Sequence, residues 1–516
     1  MNSTKKTHQL LTAVITALTI FSLIFFIPPQ VWPYELEQQV KKYTLANGLK
    51  VLLLARHTSP TVSLYIRHRV GAVDEANGLT GTAHLLEHMM FKGTETIGAK
   101  NYRGEQKILR QINQIGSRLD QEKMKEEQAG KKLLEDLKTK LSELQKKHRT
   151  MILSNEIDRL YTENGAVGLN ASTGQDVTTY QVSLPANKIE LWARIEADRM
   201  QHPVFREFYS ERDVVMEERR QSVESDPEGK LMEQFQAAAF QAHPYGRPIL
   251  GWPSDMSFLN PDYTRDFFSR YHAPNNTVIA IVGDIDIEAT MRTVKKYFGG
   301  IRRQNTPAVH ISDEPPQRGE RRVEVTFPAR PQLAIGYHKP TLPSFDDYVF
   351  DVIESILSQG RTSRLYKAIV ESKGLAENVQ AANSLPGVRY PNLFAIFATP
   401  RDAHTSTELE NAIYQEIERL KTEAVSSQEI EKTKNQLKAD FIRGLASNSG
   451  LASKLSYYEM LAGDYHYLVN HINVIEKITP DDIIRVANQY LTKENRTVAT
   501  LINSQTPLWQ HRINER

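Results

Sequence analysis

Two histidines stand four residues apart in His84-Leu85-Leu86-Glu87-His88, and a glutamate follows the first by three. Four residues is about one helical turn, so on a helix both imidazoles and the carboxylate share a face. Ala83, Leu85, Leu86, Met89 and Met90 are good helix formers, which places the motif on a helix. Two neutral imidazoles at this spacing make half of a tetrahedral zinc site. A carboxylate beside them can take a proton from a water held there. Taken alone, the pentamer is equally compatible with a structural pair of histidines. A metal site needs a third ligand, and the elements that would present one must lie elsewhere in the chain.

With 516 residues the chain exceeds one ordinary core, so two or more domains are expected. Net charge is +2, which gives no basic field for nucleic acid. The absence of cysteine excludes disulfides, cysteine zinc sites and thiol catalysis. Leu10–Ile27 is an 18-residue run without charge, preceded by Lys5 and Lys6 and followed by Glu35 and Glu37. That charge order leaves the N-terminus in the cytoplasm and the body outside. The run is long for a signal peptide, just long enough to span, and Pro28–Pro33 offers no small-x-small cleavage site. An uncleaved membrane anchor over residues 1–33 is therefore expected over a cleaved signal peptide.

Tyr43–Leu54 reads as two strands around an Asn47-Gly48 turn, and Thr61–His68 alternates as a half-buried strand does. Between Gly104 and Leu153 glycine and proline nearly vanish. Apolar residues recur at Ile108, Ile112, Ile115 and Leu119, then at Leu134, Leu137, Leu141 and Leu144. Two amphipathic helices with a break near Ala129-Gly130 follow: a helical hairpin over 104–153, with a docking role or none. As a self-contained arm, it is expected to be removable without unfolding the body. Gly168–Thr173 and Val177–Leu184 return to strand character, Ile189–Met200 to an amphipathic helix. Phe208–Arg220 is helical in composition, and on it Glu211 and Glu218 lie seven apart, sharing a face. Arg302–Arg321, rich in proline and polar residues, reads as a linker between domains at 34–301 and 322–516.

An internal repeat sets the architecture. Pro261, Tyr271 and Asn276-Thr-Val278 recur as Pro480, Tyr490 and Asn495-Arg-Thr-Val498, with the Pro-to-Tyr offset ten in both. Each copy is a proline-started helix feeding a hydrophobic strand. The expected fold class is α+β: two homologous halves, each an antiparallel-rich sheet with helices. Only the first half carries His-x-x-Glu-His.

From about Gln39 to Val498 the sequence resembles the pitrilysin–insulysin family of zinc peptidases, nearest its mitochondrial-processing-peptidase-like and bacterial short-chain branch. The resemblance rests on the Asn47-Gly48 hairpin, on His84–Thr94, on Asn170-Ala171 before a strand, and on Glu211-Arg-Asp-Val-Val-Met-Glu-Glu218. The order His-x-x-Glu-His is the inverzincin signature. The resemblance implies one zinc per chain on His84, His88 and Glu218, with Glu87 as general base and Glu211 as a second acidic residue supporting catalysis. It implies that Asn170 and Ala171 pair with substrate backbone. It implies a zinc endopeptidase acting on peptides or unfolded chains in a chamber; the alternative is a non-catalytic binding or assembly subunit of the same fold. The spacing from His88 to Glu218 exceeds the family's, and the charged hairpin accounts for the excess. The family's C-terminal half supplies an arginine and a tyrosine to the substrate, where this sequence has Val370 and Glu377. The chain is therefore expected to form half of a clamshell with a related chain lacking the zinc motif, or with its own copy. The expected location is the bacterial periplasm, at the outer face of the inner membrane.

Overall fold

The computed structural model describes residues 33–306 and 310–504. The chain divides into two compact units, Met1–Val40 and Lys41–Arg516. The described part of the first is a short helix over Pro33–Gln39. The run Leu10–Ile27, expected as an anchor, lies outside the described residues. Among the described residues no helix is long and apolar enough to cross a membrane.

In the second unit, eleven strands among the described residues form two sheets. The first is ordered β1-β2-β6-β3-β5-β4, from β1 (Lys41–Thr44), β2 (Lys50–Ala55), β3 (Thr61–His68), β4 (Val167–Thr173), β5 (Thr178–Pro185) and β6 (Thr277–Gly283). The second is ordered β7-β11-β8-β10-β9, from β7 (Arg321–Phe327), β8 (Gln332–Lys339), β9 (Ala376–Leu385), β10 (Asn392–Pro400) and β11 (Arg496–Asn503). The helices that position the site are α1 (Thr82–Met89), α2 (Tyr102–Lys123), α3 (Lys131–Arg149), α4 (Phe208–Arg219), α5 (Pro227–Ala239), α6 (Pro261–Tyr271), α7 (Asn448–Leu461) and α8 (Pro480–Tyr490).

The sequence repeat is a repeat of topology. β6 runs parallel to β2 and antiparallel to β3, as β11 runs parallel to β7 and antiparallel to β8. The helices that feed them, α6 and α8, both begin on proline. Even the turn chemistry repeats. The Asn276 amide donates to the carbonyls of Tyr271 (2.8 Å) and Arg69 (3.1 Å), and Asn495 donates to those of Tyr490 (2.8 Å) and His338 (2.7 Å). The expected α+β class with two related halves is what the chain adopts.

The halves are interlocked by an exchange of helices. α5, from the first half, buries Leu231, Phe235 and Ala239 in one cluster with Val325, Ala334, Leu393, Ala395, Ala499 and Leu501 of the second sheet. Reciprocally α7, from the second half, lies on β3 and β6 of the first sheet. There the Arg67 guanidinium donates to Ser456 (2.9 Å) and Thr179 (2.8 Å), and the fully buried Glu459 carboxylate takes Lys42 and Lys50, each at 2.7 Å. This explains why β6 is buried at every position: both its faces are covered. The segment expected as a linker is not free. Its last residue, Arg321, already pairs in β7 with Thr497 of β11. Glu314 accepts from the backbone amides of Gln241, Ala242 and His243.

The helical hairpin departs from expectation. α2 and α3 and the break before Gly130 lie where the periodicity puts them, but the hairpin is packed into the first half and not self-contained. Ile108, Ile112, Leu119, Leu137, Leu141 and Leu144 are part of the main core of the first half. Asp120 forms a buried two-point ion pair with Arg212 of α4 (2.8 and 3.0 Å). Glu105, wholly buried, takes Arg206 (2.8 and 3.0 Å) and His148 (2.7 Å). A Cβ on Gly116 would sit 2.1 Å from the Tyr209 ring, so glycine is what lets α2 approach α4. The sequence showed amphipathic faces without showing that both face inward onto the helix carrying Glu211 and Glu218. Removing one partner of a buried pair costs about 3–5 kcal/mol. Asp120→Ala should therefore lower the unfolding free energy by about that amount in denaturant titration, and replacing residues 104–153 by a short loop should abolish soluble expression.

Candidate metal centre

α1 carries His84, Glu87 and His88, and its other side is sealed: Leu85, Leu86 and Met89 are fully buried. Both ends of the helix are pinned. The buried Glu75 carboxylate accepts from the backbone amides of Gly81 (2.8 Å) and Ala83 (2.7 Å), satisfying free N–H groups of the first turn. Burial pushes the Glu75 carboxyl up to about 8 against these two bonds. At the other end Arg199, held by Glu196 at 2.8 and 2.7 Å, donates through Nε to the Met90 carbonyl (2.9 Å).

The site itself joins α1 to α4. Nε2 of His84 and Nε2 of His88 are 3.2 Å apart, and Glu218 Oε2 is 3.7 Å from the first and 3.5 Å from the second. Among the described residues these three form the one cluster able to hold a metal, with ligand atoms all within 4.8 Å. Zinc bonds of about 2.0–2.1 Å in a tetrahedron require ligand atoms about 3.3 Å apart, so two imidazoles and a carboxylate so placed fit zinc. Burial, and then the neighbouring His88, push the His84 imidazole down to about 3, which keeps it in the neutral, ligating form. His84 Nδ1 is buried without a hydrogen-bond partner.

Glu211 lies on the opposite side of His88. Its carboxylate is 3.5 Å from His88 Nδ1 and 2.5 Å from Lys92 Nζ. Burial opposes its charge, but the bonds from His88 and Lys92 prevail and lower its pKa. Conversely, burial would lower His88, but Glu211, then Glu218 and Glu87, hold it above the ordinary imidazole range. Glu87 stands beside the ligands and accepts from the Thr173 hydroxyl at 2.6 Å. Burial raises its carboxyl, the Thr173 bond and His88 pull it back, and Glu218 adds to the rise. Glu217 points elsewhere, pairing with Arg220 on the surface.

Of the residues singled out from the sequence, His84, His88, Glu87, Glu211 and Glu218 come together. Asn170 and Ala171 lie on β4, the edge strand of the first sheet, and Thr173 at the end of that strand is what reaches Glu87. Val370 packs against the core of the second half, and Glu377, on β9, pairs with Arg330 at 2.6 Å. Sequence reasoning missed Glu75, Thr173 and Lys92. An Asp-Glu pair just ahead of a glycine-started helix was the available signal for Glu75. Thr173 and Lys92 carried none.

The sequence matches Insulinase (Peptidase family M16) over residues 50–129 and 147–252 and Peptidase M16 inactive domain over residues 259–437. The chain belongs to this family of pitrilysin- and insulinase-like peptidases. The first match breaks only at 130–146, so it includes α2 and the end of α3. The zinc protease PqqE of Helicobacter pylori is 25% identical over 465 residues, 89% of this chain and 91% of that protein. The uncharacterized zinc protease YmxG of Bacillus subtilis is 23% identical over 457 residues, 88% of this chain and 96% of that one. Among solved structures, a protease from Helicobacter pylori superposes with a TM-score of 0.75 at 25% identity, covering 90% of this chain and 99% of that one. The periplasmic protease PqqL from Escherichia coli shares the fold with a TM-score of 0.68 at 16% identity, covering 91% of this chain but 48% of its own.

The Thr173 bond favours the charged form of Glu87, so removing it should raise the Glu87 pKa further. In Thr173→Val the acid limb of kcat/KM against pH should move to higher pH, with the alkaline limb in place. An unmoved acid limb would detach that limb from Glu87.

Proposed function

We propose that the chain is a zinc endopeptidase that hydrolyses peptides or unfolded polypeptides, with one zinc on His84, His88 and Glu218. The observation that carries this is the convergence of three ligand atoms from two helices with a raised, half-buried carboxyl, Glu87, at their side. Zinc, when bound there, supplies a Lewis acid and brings a water within reach of deprotonation near pH 7. Glu87 takes that proton at its free oxygen, while Thr173 fixes the other, and returns it to the leaving amine. Glu211 touches His88 through Nδ1, so it is a positioning residue: it fixes the ring whose Nε2 stands beside His84 and Glu218 and would hold the metal. Extended substrate adds to the open edge of β4 at Asn170 and Ala171, a strand that leads directly to Thr173 and the base.

The active unit we propose is a dimer with a related chain lacking the zinc motif. Two observations support it. Val370 and Glu377, the positions that the resemblance assigns to a substrate-binding arginine and tyrosine, supply no donor, and PqqL is a single chain about twice the span matched here. The periplasmic location named for PqqL, together with Lys5 and Lys6 ahead of the Leu10–Ile27 run, supports an exported protein held at the outer face of the inner membrane. A non-catalytic subunit would have no use for Glu87 beside the ligands.

Glu87→Gln should retain zinc in metal analysis but lose about 10²–10⁴ in kcat, because the base goes and the ligands stay. Glu218→Gln should lose zinc itself. Peptide cleavage by Glu87→Gln at the parent rate would remove the mechanism. The purified chain should bind zinc yet cleave slowly, and adding its motif-less partner should raise kcat by about 10²–10³. Full activity from the isolated chain, unchanged by a partner, would remove the dimer.

A further inference from the structure

One loop of the second half holds two residues that neighbour supports of the metal centre. It is the connection between β9 and β10, Pro386-Gly-Val-Arg-Tyr-Pro391. Its Arg389 reaches across to Asp74 of the first half in a two-point ion pair, 2.7 and 3.0 Å, with side chains 7% and 3% exposed. Its backbone amides at Val388 (2.6 Å) and Arg389 (3.1 Å) donate to Asp176, whose other oxygen takes the Tyr245 hydroxyl at 2.7 Å. The Tyr245 oxygen in turn accepts from the amides of Arg389 and Tyr390. The fit is close: a Cβ on Gly387 would stand 2.5 Å from the Asp176 carboxylate.

Each contact lies within three residues of a side chain that supports the centre. Asp74 is followed by Glu75, the carboxylate that clamps the first turn of α1 ahead of His84. Asp176 sits in the β4–β5 turn, three residues after Thr173, the hydroxyl that holds Glu87. The two segments are stitched together, because the amides of Ala72 and Val73 donate to the carbonyls of Gly174 (3.2 Å) and Gln175 (3.0 Å). A planar guanidinium paired at two points in a buried place fixes orientation as well as distance.

We propose that Arg389 is a positioning residue for the metal centre: the second half, which has no metal motif, sets the placement of α1 and of Glu87 through the 386–391 loop. The inference rests on the reading of this centre as a zinc peptidase site. It gives the second half a part in catalysis that needs no residue aimed at the substrate.

The test uses the full chain as Arg389→Met and Arg389→Lys. Measured together are unfolding by denaturant, zinc Kd by chelator competition, and kcat and KM per zinc-loaded, folded chain. In Arg389→Met zinc Kd should weaken about tenfold and kcat per loaded site should fall about tenfold, with KM within threefold of the parent. Arg389→Lys, which keeps the charge but loses the planar fork, should fall between. If Arg389→Met does not fold, Arg389→Lys and Asp176→Asn carry the same comparison. A variant that is folded but less stable, with zinc Kd and kcat per loaded site equal to the parent's, would overturn the proposal and reduce Arg389 to a fold contact. A parent that binds zinc but cleaves no peptide even with its motif-less partner added would remove the peptidase reading, and zinc Kd would still decide the role of Arg389.

Discussion

The metal centre depends on the rigidity of a helix barely two turns long. His84, Glu87 and His88 share a face only while α1 keeps its register, and each residue of slippage turns a side chain by about 100°. A helix this short has no stability of its own in water. Its register is imposed from outside: the Glu75 carboxylate on the first amides, Arg199 on the last carbonyl, and the sealed apolar side at Leu85, Leu86 and Met89. Glu75 is costly to bury, as its raised pKa records, and the two backbone bonds it accepts are what offset that cost.

The second helix of the centre, α4, is held by different physics. Arg206 just before it, and Arg212 and Arg219 within it, are buried guanidiniums, and each meets a carboxylate: Glu105, Asp120 and Glu233. Two of those carboxylates belong to α2. The hairpin therefore neutralises the backing of α4, and Glu211 and Glu218 are free to face α1. A buried pair adds little net stability over an apolar replacement, yet it enforces one geometry, because either charge alone in that place is strongly unfavourable.

The exchange of α5 and α7 makes the two halves one mechanical body. Each half has a core of its own, and each sheet covers its remaining face with a helix from the other half. This accounts for a second half that keeps the topology of the first without keeping its metal motif. Its β9–β10 loop is joined to the surroundings of the candidate metal centre through Asp74, Asp176 and Tyr245.

Local pattern in the sequence determined the elements. Alternation marked β3 as a strand, although α7 covers its second face and leaves it buried rather than half-buried, Asn-Gly marked the β1–β2 turn, three-and-four spacing marked α2 and α3, and the Pro-to-Tyr repeat marked the paired halves. These signals are legible because each depends on residues within one or two turns or pleats of one another. The motif on α1, and the shared face of Glu211 and Glu218 on α4, were legible for the same reason. That Glu218 rather than Glu217 meets the histidines was drawn from family resemblance and agrees with the geometry, in which Glu217 turns to Arg220. Tertiary structure alone decided that the apolar faces of both hairpin helices join the main core, that the halves trade helices, and that Glu75, Thr173 and Arg389 stand behind the site. Thr173 and Arg389 act through single polar pairings across tens to hundreds of residues, and Glu75 through backbone amides that no local pattern marks. A carboxylate that will be buried against a backbone amide has the same local sequence as one left in water; only the packing that removes the water tells them apart.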